Sequence, residues 1–98
     1  MSDNTDLSDN YVLGPRLDLT AAAALCADLK ERRGKPLTID AANVDHLGSQ
    51  CLQVLISAAQ TWRADDAKLS YSEQSEAFTE ALQSFGAPFE ALVTGGGN

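Results

Sequence analysis

Leu37-Thr38-Ile39-Asp40, Ala41-Ala42-Asn43-Val44-Asp45-His46-Leu47 and Gly48-Ser49-Gln50-Cys51-Leu52-Gln53-Val54-Leu55 follow one another without interruption. The first four residues are a short β-forming run, bounded by Pro36 and by polar residues, which marks a strand. In the connection that follows, Val44 and Leu47 are the apolar residues expected to turn inwards. From Ser49 the pattern changes to a helical one, with Leu52, Leu55, Ile56, Ala59 and Trp62 recurring at helical spacing. Cys51, Val54 and Ala58 widen the apolar coverage beyond one stripe. Such a helix is either well buried or covered in part by a partner.

The same alternation extends to both sides. Upstream, Tyr11-Val12-Leu13 is a short strand cut by Gly14-Pro15, and Pro15 suits an edge. Leu17-Asp18-Leu19-Thr20 leads into a helix that Asp18 or Thr20 can cap. Ala22, Leu25, Cys26 and Leu29 form its apolar stripe. Gly34 ends it and Pro36 blocks its continuation. Downstream, Asp65 to Lys68 is a turn and Leu69-Ser70-Tyr71-Ser72 a third strand. Ser75 caps a helix with Phe78, Ala81, Leu82 and Phe85 on its apolar side, closed by Gly86. Phe89 to Val93 adds a last strand or helical turn. Strand and helix alternate three times, which predicts an α/β domain: a short mixed β-sheet with helices packed against it. Residues 1–10 read as a flexible lead-in, 11–93 as the domain and 94–98 as a flexible tail.

Charge narrows the function. The 98 residues carry a formal net charge of -7, which opposes binding to phosphate backbones and to anionic membrane surfaces. The one basic cluster, Lys30, Arg32, Arg33 and Lys35, lies where a helix ends, and cations there complement the helix dipole. No apolar stretch approaches the roughly 20 residues that span a bilayer. The polar start lacks the pattern of a signal peptide, so a cytoplasmic location is expected. Cys26 and Cys51 read as free thiols among apolar residues, with a disulfide between them left open.

Catalytic patterns are missing. His46 is the one histidine, and proximity to Ser49 in sequence does not make a nucleophile and base. It reads as an exposed loop residue. One histidine and two cysteines on separate helices do not supply a zinc site. Gly95-Gly96-Gly97 precedes no phosphate-receiving helix. Asp40 and Asp45 show no pairing as acid and base. No enzymatic activity, metal or cofactor is expected.

The stretch from Leu37 to Trp62 resembles the STAS family, which includes anti-anti-sigma factors and the small soluble subunit of lipid-transporting ABC systems. Asp40 matches the family's strand-end Asp, Val44 its loop Val, Leu47 the apolar residue before its motif and Leu52 the following leucine. Ser49 falls on its phosphorylatable serine. Gly48 stands where the family has Asp, and Cys51 where it has Gly. Leu17-Asp18-Leu19-Thr20 and Ser75 through Gly86 extend the likeness over most of Tyr11 to Gly86.

The resemblance implies a non-enzymatic module that binds a protein partner, a kinase or an anti-sigma-like protein, in bacterial signalling or chemotaxis-type control. Its docking residues would be Asp45, His46, Gly48, Ser49, Gln50, Gln53 and Val54. A phosphate on Ser49 would add about -1.5 to -2 charges at a helix start, where N–H groups favour an anion and Asp45 and Asp40 oppose it. Ser49 is also expected to serve as an N-cap. The alternative is a constitutive subunit of an ABC-type lipid transport complex. Neither reading involves nucleic acid or direct membrane insertion.

Overall fold

A computed structural model describes residues 9–94. Its elements are β1 (Asp9–Val12), β2 (Arg16–Leu17), α1 (Leu19–Glu31), β3 (Leu37–Ala41), β4 (His46–Leu47), α2 (Ser49–Ala64), β5 (Leu69–Gln74) and α3 (Glu76–Phe85), followed by a 3₁₀ turn (Phe89–Leu92). β3 lies between β1 and β5 in a three-stranded sheet, while β2 and β4 form a separate two-stranded ladder. The α/β class holds. The expected mixture of strand directions does not: among the described residues every pairing is parallel. Crossovers through α1 and α2 return the chain to the same end of the sheet before each new strand, and that connection makes neighbours parallel.

The core follows the patterns in the sequence. Leu37, Ile39 and Ala41 are buried on one side of β3, with half-buried Thr38 and Asp40 between them. Leu25 and Leu29 from α1 join Leu52, Leu55, Ala59 and Trp62 from α2 and Phe78 and Leu82 from α3 in the same cluster. Val44 and Leu47 are buried as expected. The Trp62 indole donates to the carbonyl of Lys35 at 2.8 Å, so its one polar atom is satisfied. On β5, Ile39 pairs with Tyr71 and Asp40 with Glu73. Ser72 is thus an extra residue in the ladder, a bulge of the kind that bends an edge strand.

Several local readings change. Thr20 does not cap α1; Asp18 does, accepting from the Thr20 amide at 3.1 Å, while Thr20 is already helical. Ser49 is not the cap of α2: Gly48 occupies that position and offers no side chain. Phe85 leaves the core and is 46% exposed at the end of α3, as is Val12 on β1 at 56%. Asp9 and Asn10 belong to β1 rather than to a lead-in.

Thr94 belongs to the folded body rather than to a tail. Its hydroxyl accepts from the Leu69 amide at 2.7 Å and donates to the Ala67 carbonyl at 2.9 Å. A satisfied threonine can sit buried beside a strand start. The remainder of the expected lead-in and tail, 1–8 and 95–98, lies outside the described residues.

Candidate functional site at the start of the second helix

The ladder of β2 with β4 assembles the candidate surface. The amides of Asp45 and His46 both donate to the carbonyl of Pro15, at 2.7 and 3.0 Å, and that of Gly48 to the carbonyl of Leu17 at 2.8 Å. Proline lacks its own N–H, but its carbonyl remains available, here to two donors. These bonds hold the start of α2 beside the start of α1. A β-carbon at position 48 would stand 3.3 Å from the Leu17 carbonyl oxygen and 3.6 Å from His46 Nε2. The two segments therefore approach so closely that a side chain at 48 would require the Leu17 carbonyl to shift by a few tenths of an ångström. Cys51, one turn into α2, reaches back and its thiol donates to the carbonyl of Asp18 at 3.3 Å.

Of the seven expected docking residues, Asp45, His46, Ser49, Gln50 and Gln53 are exposed, and Gly48 and Val54 are half-buried. They lie together along β4 and the first turns of α2. Ser49 is the first helical residue, and the cap before it makes no side-chain hydrogen bond. The first-turn N–H groups therefore lack the side-chain acceptor that a serine or aspartate at the cap would supply. Asp40 is turned elsewhere: its carboxylate accepts from the Ala42 amide at 2.9 Å. His46 is an exposed residue of the short strand β4 rather than of a loop.

Two residues of this surface were not legible in sequence. Asp18 comes to the site from α1, and Leu19 beside it is 70% exposed. The Asp18 carboxyl is held below its ordinary range, first by the hydrogen bond from the Thr20 hydroxyl, with Arg16 a weaker influence. Arg16 Nε is 3.9 Å from this carboxylate, in an exposed ion pair. The signal for Leu19 was its phase. With the exposed Ala23 and Lys30 it falls on a line away from the Leu25 and Leu29 stripe.

A family model described as "Mlab, STAS domain" matches residues 7–92. The chain belongs to the STAS domain family. Among curated proteins and solved structures, none matches it. In this STAS domain the two departures from the family motif meet at one place. Gly48 removes the side chain nearest β2, and Cys51 fills space against Asp18 that a glycine would leave open. The small residue and the larger one have exchanged positions around the same contact. Among the described residues, no helix is long and apolar enough to cross a membrane.

Proposed function

We propose that this STAS domain is a non-enzymatic, cytoplasmic protein-binding module in bacterial signalling, docking a partner through the start of α2 and switched by phosphorylation of Ser49. The observation that carries the reading is the placement of Ser49. It is exposed, it opens a 16-residue helix, and the residue before it supplies no capping side chain. The β2/β4 ladder holds that helix start from below. A phosphate of about -1.5 to -2 charges would then alter the surface without demanding a new fold. Helix N–H groups favour it, and the carboxylates of Asp18 and Asp45 oppose it. The partner is a kinase or an anti-sigma-like protein, with chemotaxis-type control as the specific form.

A second reading is a constitutive subunit of an ABC-type lipid transport complex. The match to the family described as "Mlab, STAS domain" and the glycine at position 48, in place of the family's acidic residue, favour it. Affinity capture from host cytosol with wild type and Ser49→Asp, read by mass spectrometry, separates the two. Capture of a kinase or anti-sigma protein by the wild type, with release by Ser49→Asp, supports the switch. Equal capture of a transporter ATPase by both forms overturns it in favour of the constitutive subunit.

A further inference from the structure

α1 and α2 pack side by side, both running from the β2/β4 ladder towards the Arg33–Asp65 ion pair at their far ends. Between them lies an open groove of about 230 Å³. Cys26, Leu29, Val54, Ala58 and Trp62 line its apolar length, and Gln50 and Gln53 line it towards Ser49. Lys30 is the one charged residue in the lining, and no carboxylate joins it. On a chain of net charge -7, a groove with a cation and no acid selects for an anion. Lys30 forms no ion pair among the described residues, whereas Arg33 and Arg16 do.

Size limits the occupant. A helix is about 10–12 Å across with its side chains and cannot sink into a space of this volume. An apolar cavity of about 150 Å³ accommodates benzene, so this groove has room for a longer but still small apolar body. We propose that the groove binds a medium-chain carboxylate, its alkyl chain along Cys26, Leu29, Val54, Ala58 and Trp62 and its carboxylate at Lys30. The site does not involve Ser49. It shares Gln50, Gln53 and Val54 with the docking surface, which places a ligand where it would alter partner binding.

Trp62 is the single tryptophan and reports occupancy directly. The full chain is titrated with sodium decanoate below its micelle concentration, following Trp62 fluorescence and the rate of Cys26 alkylation by iodoacetamide. Cys51, fully buried, serves as the fold control. Saturable binding that protects Cys26 is expected, weakening about twofold for each methylene removed, roughly half the effect of full burial because the groove is open on one side. Decyltrimethylammonium should bind about fivefold more weakly, the scale of one solvent-facing ion pair. Lys30→Glu should reverse that preference with the folded signal retained, and Ser49→Asp should leave decanoate binding unchanged. A response that never saturates, equal binding of the two head groups, or an unchanged preference in Lys30→Glu overturns the proposal. Failure of the Ser49 switch would leave these results untouched, so the two readings fail separately.

Discussion

The thiol of Cys51 lies 3.3 Å from the carbonyl oxygen of Asp18 and binds the first turn of α2 to the residue that caps α1. Burial, and then the Asp18 charge, push the Cys51 thiol up. The half-buried Cys26 should therefore react first with a neutral-pH thiol reagent, as peptide mapping after brief alkylation would show. Cys51→Ala removes a weak hydrogen bond and a small buried volume. It should cost about 1–2 kcal/mol in urea unfolding.

Ser75 makes two bonds with one hydroxyl. It accepts from the Phe78 amide at 3.0 Å as the cap of α3 and donates to the Val44 carbonyl at 2.6 Å. Ser75→Ala should lower stability by about 2–3 kcal/mol, above the usual loss of about 1 kcal/mol for a cap alone, because the Val44 carbonyl also loses its donor. A loss of about 1 kcal/mol or less in chemical denaturation would show that the second bond contributes nothing.

Tyr71 packs between Phe78 and Phe89, with ring centroids 5.8 and 5.4 Å away. Its hydroxyl is buried without a hydrogen-bond partner. An unsatisfied buried hydroxyl costs desolvation, so Tyr71→Phe should be neutral or stabilising by up to about 1 kcal/mol. A thermal melt of the two proteins tests this, and a destabilised Phe variant would reveal a bond made by that hydroxyl in solution.

Tyr11 donates to Asp28 at 2.7 Å, under the guanidinium of Arg32. Burial, followed by the hydrogen bond to Asp28 and the charge of Asp28, pushes its phenol up from 10.0 to about 12. The folded state thus favours the neutral phenol. Its contribution is complete below pH 10 and is lost as pH rises towards 12. Absorbance at 295 nm should show little tyrosinate at pH 10 in the folded protein. Tyr11→Phe should lose less stability than wild type across that interval.

Acid acts on two perturbed carboxyls. Asp18 is depressed below 3.8 chiefly by the Thr20 hydroxyl, and Asp65 chiefly by its hydrogen bonds from Arg33. Both contributions are present above pH 3.8 and disappear as pH falls through the depressed values. Asp18→Asn and Asp65→Asn should each flatten the acid limb of a stability profile between pH 5 and 2. The effect should be small, since both groups meet solvent, which screens their partners.

Local reading succeeded where one physical rule dominated. The helices and the central strand are set by apolar periodicity, and Ser75 and Gly86 by backbone needs that short-range chemistry dictates. Gly86 adopts φ 70°, a left-handed value suited to glycine. The cap of α2 was missed because Ser49 is a better capping residue than Gly48. Tertiary hydrogen bonds to the Leu17 and Pro15 carbonyls nevertheless begin the helix one residue earlier, at Ser49. Phe85 fits the stripe of α3 by spacing, but at the last turn no element lies opposite to cover it.

Periodicity and turn chemistry, both short-range properties, determined from sequence alone that the chain is an α/β domain and that Ser49 opens its second helix. The likeness to the STAS family rested instead on single motif residues, Asp40, Val44, Leu47, Ser49 and Leu52. Only the tertiary structure placed Asp18 beside Gly48 and Cys51, and left Lys30 as the one charged residue lining the groove. Residues more than 25 positions apart meet through the β2/β4 ladder and the packing of α1 on α2. Contacts of that range depend on how the elements are assembled, which no local pattern of side chains encodes.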